Sequence, residues 1–441
     1  MANMVQRGIQ SLRTALGCSK FGAFRYYTPP VSSSLQQVYE PPAYRYACVL
    51  SCNCIQLSFF VLFNKIRIWT SKLGMSGEGL KKEEGYPCSI AHTQCIKAAN
   101  ACDDEYASLD WDNLEFGLMP TDYMYMMKCS KDENFKQGQL SRFGNIELSP
   151  SAGVLNYGQG ILEGTKAYRK ENGSLLLFRP DQHAIRMKIG AERMCMPSPS
   201  IGQFIDAVKQ TAFANKRWVP PPGKGSLYMR PLLIGTGPIL GLAPATEYTF
   251  LVYASPVANY FKGGMAPLNF YIEDEFTRAC PGGAGAVKSI SNYAPALKAL
   301  LRAKDRGFSD VLYLDSVNKK FLEEASACNV FILKGNLIST PATNGTILAG
   351  ITRKSIIDIA RDLGYQVKEQ AILVDELLDA DEVFCTGTAI GVAPVGGVTY
   401  QGRRIQFRVD NDSVCQELHT TLVGIQTGLI EDKKGWTVEI H

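Results

Sequence analysis

Histidine is scarce in this 441-residue sequence, with four in all (His92, His183, His419, His441), and no C-x-x-C pair occurs anywhere. Together these shortages remove the usual zinc ligand patterns, and no metal site is expected. Thirteen cysteines are present, but seven fall within the first 102 residues and the other six stand singly. That distribution reads as a reduced interior compartment rather than a disulfide framework. An excess of either charge is lacking as well: 46 basic against 42 acidic residues leave a formal net charge of +4. Nothing in that balance points to nucleic acid or to an acidic lipid surface. Internal repeats and coiled-coil heptads are absent. What remains is an ordinary globular composition, 46% hydrophobic and 20% charged, long enough for two domains and a large core.

Acidic residues are missing altogether from residues 1–39, which carry Arg7, Arg13, Lys20 and Arg25. Val5, Ile9, Leu12 and Leu16 share one helical face there, so the segment reads as an organelle-targeting peptide outside the fold. Arg25-Tyr26-Tyr27-Thr28 resembles a mitochondrial processing site, and a plastid address is the alternative. Residues 40–104 read as an atypical apolar insertion and linker. Within them Ala47 to Phe63 is mostly apolar but interrupted by Ser51, Asn53, Gln56 and Ser58. Membrane contact through residues 43–69 is one reading of this run, and a poorly packed insertion is the preferred one.

From about Tyr106 onward, alternating and apolar runs between glycine and proline signals predict a packed α/β (α+β) chain. Strands are expected at Ser174 to Phe178, Leu227 to Gly235, Tyr248 to Ser255, Leu268 to Glu273, Val311 to Asp315, Asn329 to Leu333 and Val383 to Thr386. Helices are expected at Pro180 to Met194, Ile201 to Asn215, Tyr293 to Asp305 and Gly350 to Leu363. The implied division is a small N-terminal domain over 105–255, a connection over 256–267 and a larger C-terminal domain over 268–441.

Two glycine-rich stretches invite a nucleotide reading and fail it. Gly282-Gly283-Ala284-Gly285-Ala286-Val287-Lys288-Ser289 lacks the glycine that a phosphate loop needs directly before its lysine. Gly235-Thr236-Gly237 meets its next glycine one place late for a dinucleotide fingerprint, with no helix signal behind it. A lysine in a small, uncharged stretch has another use, because desolvation frees its amine for Schiff-base formation. Taken locally, Lys288 reads more readily as an ordinary exposed lysine.

A second segment changes that balance. Glu324-Ala325-Ser326-Ala327-Cys328-Asn329-Val330-Phe331 is followed by Ile338-Ser339-Thr340 and by Leu348-Ala349-Gly350-Ile351-Thr352-Arg353. This long, gapped pattern resembles the signature of the class IV aminotransferases that use pyridoxal 5'-phosphate. Tyr157-Gly158-Gln159-Gly160, Leu177-Phe178-Arg179-Pro180, Tyr228-Met229-Arg230-Pro231, Asn292-Tyr293 and Gly387-Thr388-Ala389 narrow the resemblance to branched-chain aminotransferases of the plant-like branch. It covers roughly residues 105–441.

The resemblance implies a two-domain pyridoxal-phosphate fold of type IV, with the cofactor at the domain interface, assembled as a homodimer. It makes Lys288 the lysine that holds the cofactor and moves the substrate proton. Glu324 would meet the pyridine nitrogen and Tyr293 the ring oxygen. Arg186, Ile351, Thr352 and Thr388 would surround the phosphate, with Arg278 a further candidate; Arg179 reads as structural. On the substrate side, Tyr157, Thr388 and Ala389 would hold the α-carboxylate. Phe116, Tyr228, Tyr293 and Tyr260 would enclose an aliphatic side chain, and Arg230 would engage the second carboxylate of L-glutamate or 2-oxoglutarate. The implied reaction moves the amino group of L-leucine, L-isoleucine or L-valine to 2-oxoglutarate. Three rivals stand beside it: a D-amino acid aminotransferase, an aminodeoxychorismate lyase, and a catalytically silent cofactor-binding relative. Four positions depart from the pattern: Leu162 in place of phenylalanine, Ala349 of proline, Ser291 of a frequent glycine, and Ala327 of a residue that often carries a hydroxyl.

Overall fold

The computed structural model describes residues 106–258 and 266–440. The expected targeting peptide (1–39), the insertion with its apolar run (40–104) and Tyr260 lie outside the described residues.

In chain order the elements are β1 (Tyr123–Ser130), β2 (Gln139–Arg142), α1 (Gly153–Tyr157), β3 (Gly160–Leu162), β4 (Thr165–Arg169), β5 (Leu175–Phe178), α2 (Pro180–Arg193), α3 (Ile201–Ala214), β6 (Ser226–Gly235), β7 (Glu247–Val257) and β8 (Leu268–Glu273). They continue with α4 (Leu297–Asp305), β9 (Asp310–Leu314), β10 (Leu322–Ala325), β11 (Asn329–Lys334), β12 (Leu337–Pro341), α5 (Ile351–Asp362), β13 (Gln366–Gln370), α6 (Val374–Leu378), β14 (Glu382–Gly387), β15 (Gly391–Tyr400), β16 (Arg403–Gln406), α7 (Val414–Thr427) and β17 (Thr437–Ile440).

Two sheets result. The first is antiparallel, in the order β17-β5-β4-β6-β7-β1-β2 with β3 on β6. The second is mixed, in the order β10-β9-β8-β15-β14-β11-β12-β13 with β16 on β15. Its parallel pairs are β8 with β9, β8 with β15, and β12 with β13. The last strand, β17, returns to the first sheet and pairs with β5.

Alternation in β6 explains how the first sheet serves two purposes. Leu227, Met229 and Leu233 are fully buried in a core that α2 and α3 close with Met187, Phe204 and Val208. Tyr228 and Arg230, one position out of phase, emerge half-buried on the opposite face. The helices begin where local chemistry predicts. Pro180 opens α2, and Ser200 with Gln203 forms a capping box on α3. Another cluster ties the two sheets together: Ile356 and Ile359 of α5 and Leu418 and Leu422 of α7 pack with Phe331, Phe384, Tyr168, Phe178 and Trp436. Each such fully buried side chain contributes about 1.5–3 kcal/mol relative to exposure.

One expected helix is different. Instead of a continuous helix from Tyr293, the chain makes two short 3-10 turns, Ile290–Asn292 and Ala294–Ala296, before α4 begins at Leu297. Pro295 supplies no amide hydrogen and disfavours the helical region for Ala294, so the α-helix starts only beyond it.

Candidate active site

Between the two sheets lies a cavity of about 460 Å³. One wall is Leu162 of β3, Gly164, Arg186 of α2, and Tyr228 and Arg230 of β6; the other includes Glu324, Asn329, Gly350 and Thr388. Lys288 reaches it from the loop before the first 3-10 turn. That loop is braced: Asn292 Nδ2 donates to the carbonyls of Ala284 (2.8 Å) and Val287 (2.9 Å). The Leu162 amide donates to the Lys288 carbonyl at 3.1 Å, which fixes the lysine backbone to β3. Lys288 Nζ lies 3.0 Å from the Tyr293 hydroxyl.

Arg186 is gripped by a residue that sequence reading had passed over. Its Nε and Nη2 each donate to a different Glu163 oxygen at 2.7 Å, a two-point fork, and Nη1 donates to the Ala349 carbonyl at 3.1 Å. His183 Nδ1 lies 2.8 Å from Glu163 Oε2. Burial would push the Glu163 carboxyl up, but the charge and hydrogen bonds of Arg186, joined by His183, hold it well below the usual carboxylate range. An ionised Glu163 can only accept, so His183 donates from Nδ1. Burial also lowers His183. Beside this group, α5 starts at Gly350 with no side-chain cap, leaving the amides of its first turn aimed outward. A side chain at Gly350 would stand 2.1 Å from Asn329 Oδ1, so only glycine permits this approach.

Glu324 occupies the far end. Arg278 Nη2 pairs with its Oε1 at 2.6 Å, the Leu348 amide donates to Oε1 at 2.9 Å, and Asn329 Nδ2 donates to Oε2 at 2.8 Å. Burial pushes this carboxyl up to about 7, against the pull of Arg278 and the Leu348 amide. Arg278 therefore stands at the Glu324 end, where it also donates to the carbonyls of Gly285 and Thr346.

Expected residues lining the cavity are Lys288, Arg186, Arg278, Tyr293, Glu324, Ile351, Thr352, Thr388, Ala389, Tyr228, Arg230 and Phe116. Phe116 meets Tyr228 edge-on, with ring centres 5.5 Å apart. Tyr157 is elsewhere: it sits half-exposed at the end of α1, and its hydroxyl donates to the Leu240 carbonyl. Arg179 contacts Ser355 Oγ at 2.9 Å and lies over the Trp436 ring, in keeping with a structural reading. Asn292 and Asn329 were legible only as parts of motifs and Glu163 not at all; no spacing rule marks them as partners of Lys288, Glu324 and Arg186.

The chemistry of this wall is anion binding with a confined amine. Both carboxylates are paired, while Lys288 and Arg230 keep cationic donors toward the cavity. Arg230 Nε and Thr386 Oγ1 are buried and lack a hydrogen-bond partner. Unsatisfied donors around a cavity, a free helix N-terminus and an amine between them fit an anionic aromatic cofactor such as pyridoxal phosphate.

Comparison with known proteins agrees with that donor set. The family model for amino-transferase class IV matches residues 160–398, more than half of the chain. This chain belongs to the class IV aminotransferases. Among its relatives, branched-chain-amino-acid aminotransferase 2, chloroplastic, of Arabidopsis thaliana is 74% identical over 77% of this chain and 87% of that protein. Branched-chain amino acid aminotransferase 1, mitochondrial, of Humulus lupulus is 68% identical over 76% of this chain and 86% of its own length. A solved branched-chain amino acid aminotransferase (T.th.), complexed with N-(5'-phosphopyridoxyl)-L-glutamate, superposes with a TM-score of 0.60 at 25% identity. That alignment covers 74% of this chain and all of the solved one. The fold class expected from sequence is thereby established for this aminotransferase.

Proposed function

We propose that this aminotransferase transfers the amino group of L-leucine, L-isoleucine or L-valine to 2-oxoglutarate, giving the branched 2-oxo acids and L-glutamate. The observation that carries the reading is convergence: Lys288, Tyr293, Glu324, Arg186 and the α5 N-terminus surround one cavity whose remaining wall is aromatic and apolar. Bound pyridoxal phosphate supplies an electrophilic carbon and an electron sink.

The chain's own groups divide the remaining work. Lys288 would hold the cofactor and, as the amine in the cavity, would move the proton at the substrate Cα. Tyr293, hydrogen-bonded to Lys288, would meet the cofactor's ring oxygen. Glu324, held by Arg278 and Asn329, presents its carboxylate to the ring nitrogen and favours the protonated ring. Arg186, the Ile351 and Thr352 amides and Thr388 hold the phosphate. Amides of Thr388 and Ala389 take the substrate α-carboxylate. Phe116, Leu162 and Tyr228 enclose the side chain. Arg230 has a buried Nε without a partner and a ring-facing guanidinium 5.4 Å from the Tyr228 centre, so it can receive the second carboxylate of 2-oxoglutarate. Apolar walls discriminate a methylene by only about 1–3 kcal/mol, so all three branched substrates react.

A homodimer completes the proposal. Leu155, Tyr157, Leu240 and Leu242 form an exposed apolar patch, Leu240 being 92% and Leu242 86% exposed. Exposed apolar residues grouped this way are the kind of surface that a second copy covers, which would also bury Tyr157. Leu240→Glu is expected to shift the species seen in sedimentation toward the monomer. Residues 1–39 would address the protein to mitochondria, with plastids as the alternative; imaging of a fluorescent fusion of residues 1–39 decides between them.

The central test is an absorbance spectrum of the purified holoenzyme with added L-leucine. Bleaching of the bound-cofactor band, its return on adding 2-oxoglutarate, and its absence in Lys288→Ala are the expected results. A band that ignores leucine but answers another amine overturns the substrate, and a protein without any band overturns the cofactor role of Lys288.

A further inference from the structure

A second lysine beside the cavity has no role in the chemistry so far. Lys166 lies on β4, opposite Tyr228 in the antiparallel register with β6, so both side chains leave the same face of the sheet. It is 9% exposed. Its Nζ donates to the Ala389 carbonyl at 3.0 Å, and no carboxylate among the described residues pairs with it. An ammonium has three hydrogens to place, and burying it without a counter-charge is costly.

Nothing in its immediate surroundings offers that charge. The void behind it, bordered by Tyr168, His183, Thr352 and Thr388, measures about 10 Å³. Such a space holds at most one water and no hydrated counter-ion. His419 of α7 also feels the lysine, and burial lowers both groups, Lys166 to about 8. The missing negative charge must come from the cavity side. There the Ala389 carbonyl belongs to the three-residue link between the paired Gly387 and Gly391, where β14 turns into β15. Lys166 is thus tied to the tip of the hairpin whose amides face the substrate.

We propose that Lys166 is the positioning residue of the substrate-carboxylate site: it fixes the Thr388-Ala389 turn and supplies the positive charge that the α-carboxylate neutralises. The inference rests on the reading above in which those amides hold the α-carboxylate. Phosphate already has Arg186 and the α5 amides, whereas no other buried cation contacts this turn among the described residues.

The test compares holoenzymes carrying Lys166→Met, Lys166→Gln and Lys166→Arg, using 4-methylvaleric acid as a non-reacting carboxylate and its amide as the neutral control. Lys166→Met is expected to weaken acid binding and raise the KM for leucine by about 10- to 100-fold, the range of one charge-assisted contact. Amide binding and cofactor content should hold, and kcat should change only a few-fold. Lys166→Gln keeps a donor without the charge and should fall between Met and wild type, while Lys166→Arg should restore most of the affinity. Equal losses for acid and amide would mean a merely structural lysine and overturn the proposal. Cofactor loss with unchanged acid binding would assign Lys166 to the phosphate and also overturn it. Should Lys166→Met fail to fold, equal acid affinity in the Gln and Arg variants defeats the charge argument. Wild-type enzyme unable to use leucine would sink the underlying reading, whereas an active wild type with an unaffected Lys166→Met sinks this inference alone.

Discussion

The two halves of the cavity are built on opposite plans. Around Arg186 and Glu324 the two buried carboxylates are fixed inside the protein by the Glu163 fork, the Asn329 bridge and the Leu348 amide, although Arg278 Nε, Ser326 Oγ and Thr386 Oγ1 have no partner. Around Phe116, Leu162, Tyr228 and Arg230 the wall is aromatic and aliphatic, with a guanidinium that meets the Tyr228 hydroxyl at 3.3 Å. A paired wall suits a group that stays. A sparsely paired wall suits partners that alternate, one with an aliphatic side chain and one with a carboxylate.

Lys288 stands between the halves, and removing it should have the largest effect. Lys288→Ala is expected to lower turnover at least about 10²- to 10⁴-fold through loss of the proton-transferring base alone, measured by glutamate formation from leucine. Activity close to that of wild type would place the base elsewhere.

Next comes the paired half. Glu163→Gln leaves Arg186 buried without its counter-charge and should cost about 3–5 kcal/mol in denaturant unfolding. The two buried carboxylates should also answer pH in opposite directions. Glu163 is lowered, so its stabilisation is present above the unfolded carboxylate value and lost as pH falls through its folded one. Glu324 is raised to about 7 in the protein without cofactor, so its contribution is full below the unfolded value of 4.5 and lost as pH rises through about 7. The stability gap between wild type and Glu163→Gln should therefore close as pH falls into the acid range, whereas wild type should lose stability relative to Glu324→Gln as pH rises through about 7. Parallel profiles would erase the contrast.

Smaller effects should follow in the sparsely paired half. Arg230→Met is expected to raise the KM for 2-oxoglutarate about 10- to 100-fold while changing that for leucine only a few-fold. Equal losses for both would show that Arg230 holds the site together rather than reading the second carboxylate. Leu162→Phe fills space beside Tyr228 and should shift the leucine-to-valine ratio of kcat/KM by less than about tenfold. A ratio that does not move would remove Leu162 from the side-chain wall.

Much of this was legible from the chain because its signals are local. Pro180 and Ser200 open helices where capping chemistry predicts, and β8 runs over Leu268–Glu273 as its apolar pattern indicates. The gapped segment from Glu324 to Arg353 could be matched because one stretch of chain supplies Glu324, Asn329, Gly350, Ile351 and Thr352 to the cavity wall. Less visible were residues whose partners lie on other elements. Glu163 is 23 positions from Arg186, and Lys166 is 223 from Ala389, separations that carry no periodic signal. The helix expected from Tyr293 was displaced by Pro295, a local rule that the apolar pattern had outweighed. Tyr157 matches a family motif, yet the fold of a single chain sends its hydroxyl to Leu240.

By itself, then, the sequence determined the class of chemistry and the elements that carry each motif, because caps, alternation and contiguous motifs act over a few residues. Only the tertiary structure decided how charge is balanced around that chemistry. Which carboxylate takes which arginine, and which ammonium is left without a carboxylate, depends on strands and helices brought together from distant parts of the chain. Within a buried wall, those pairings set the cost of every charge.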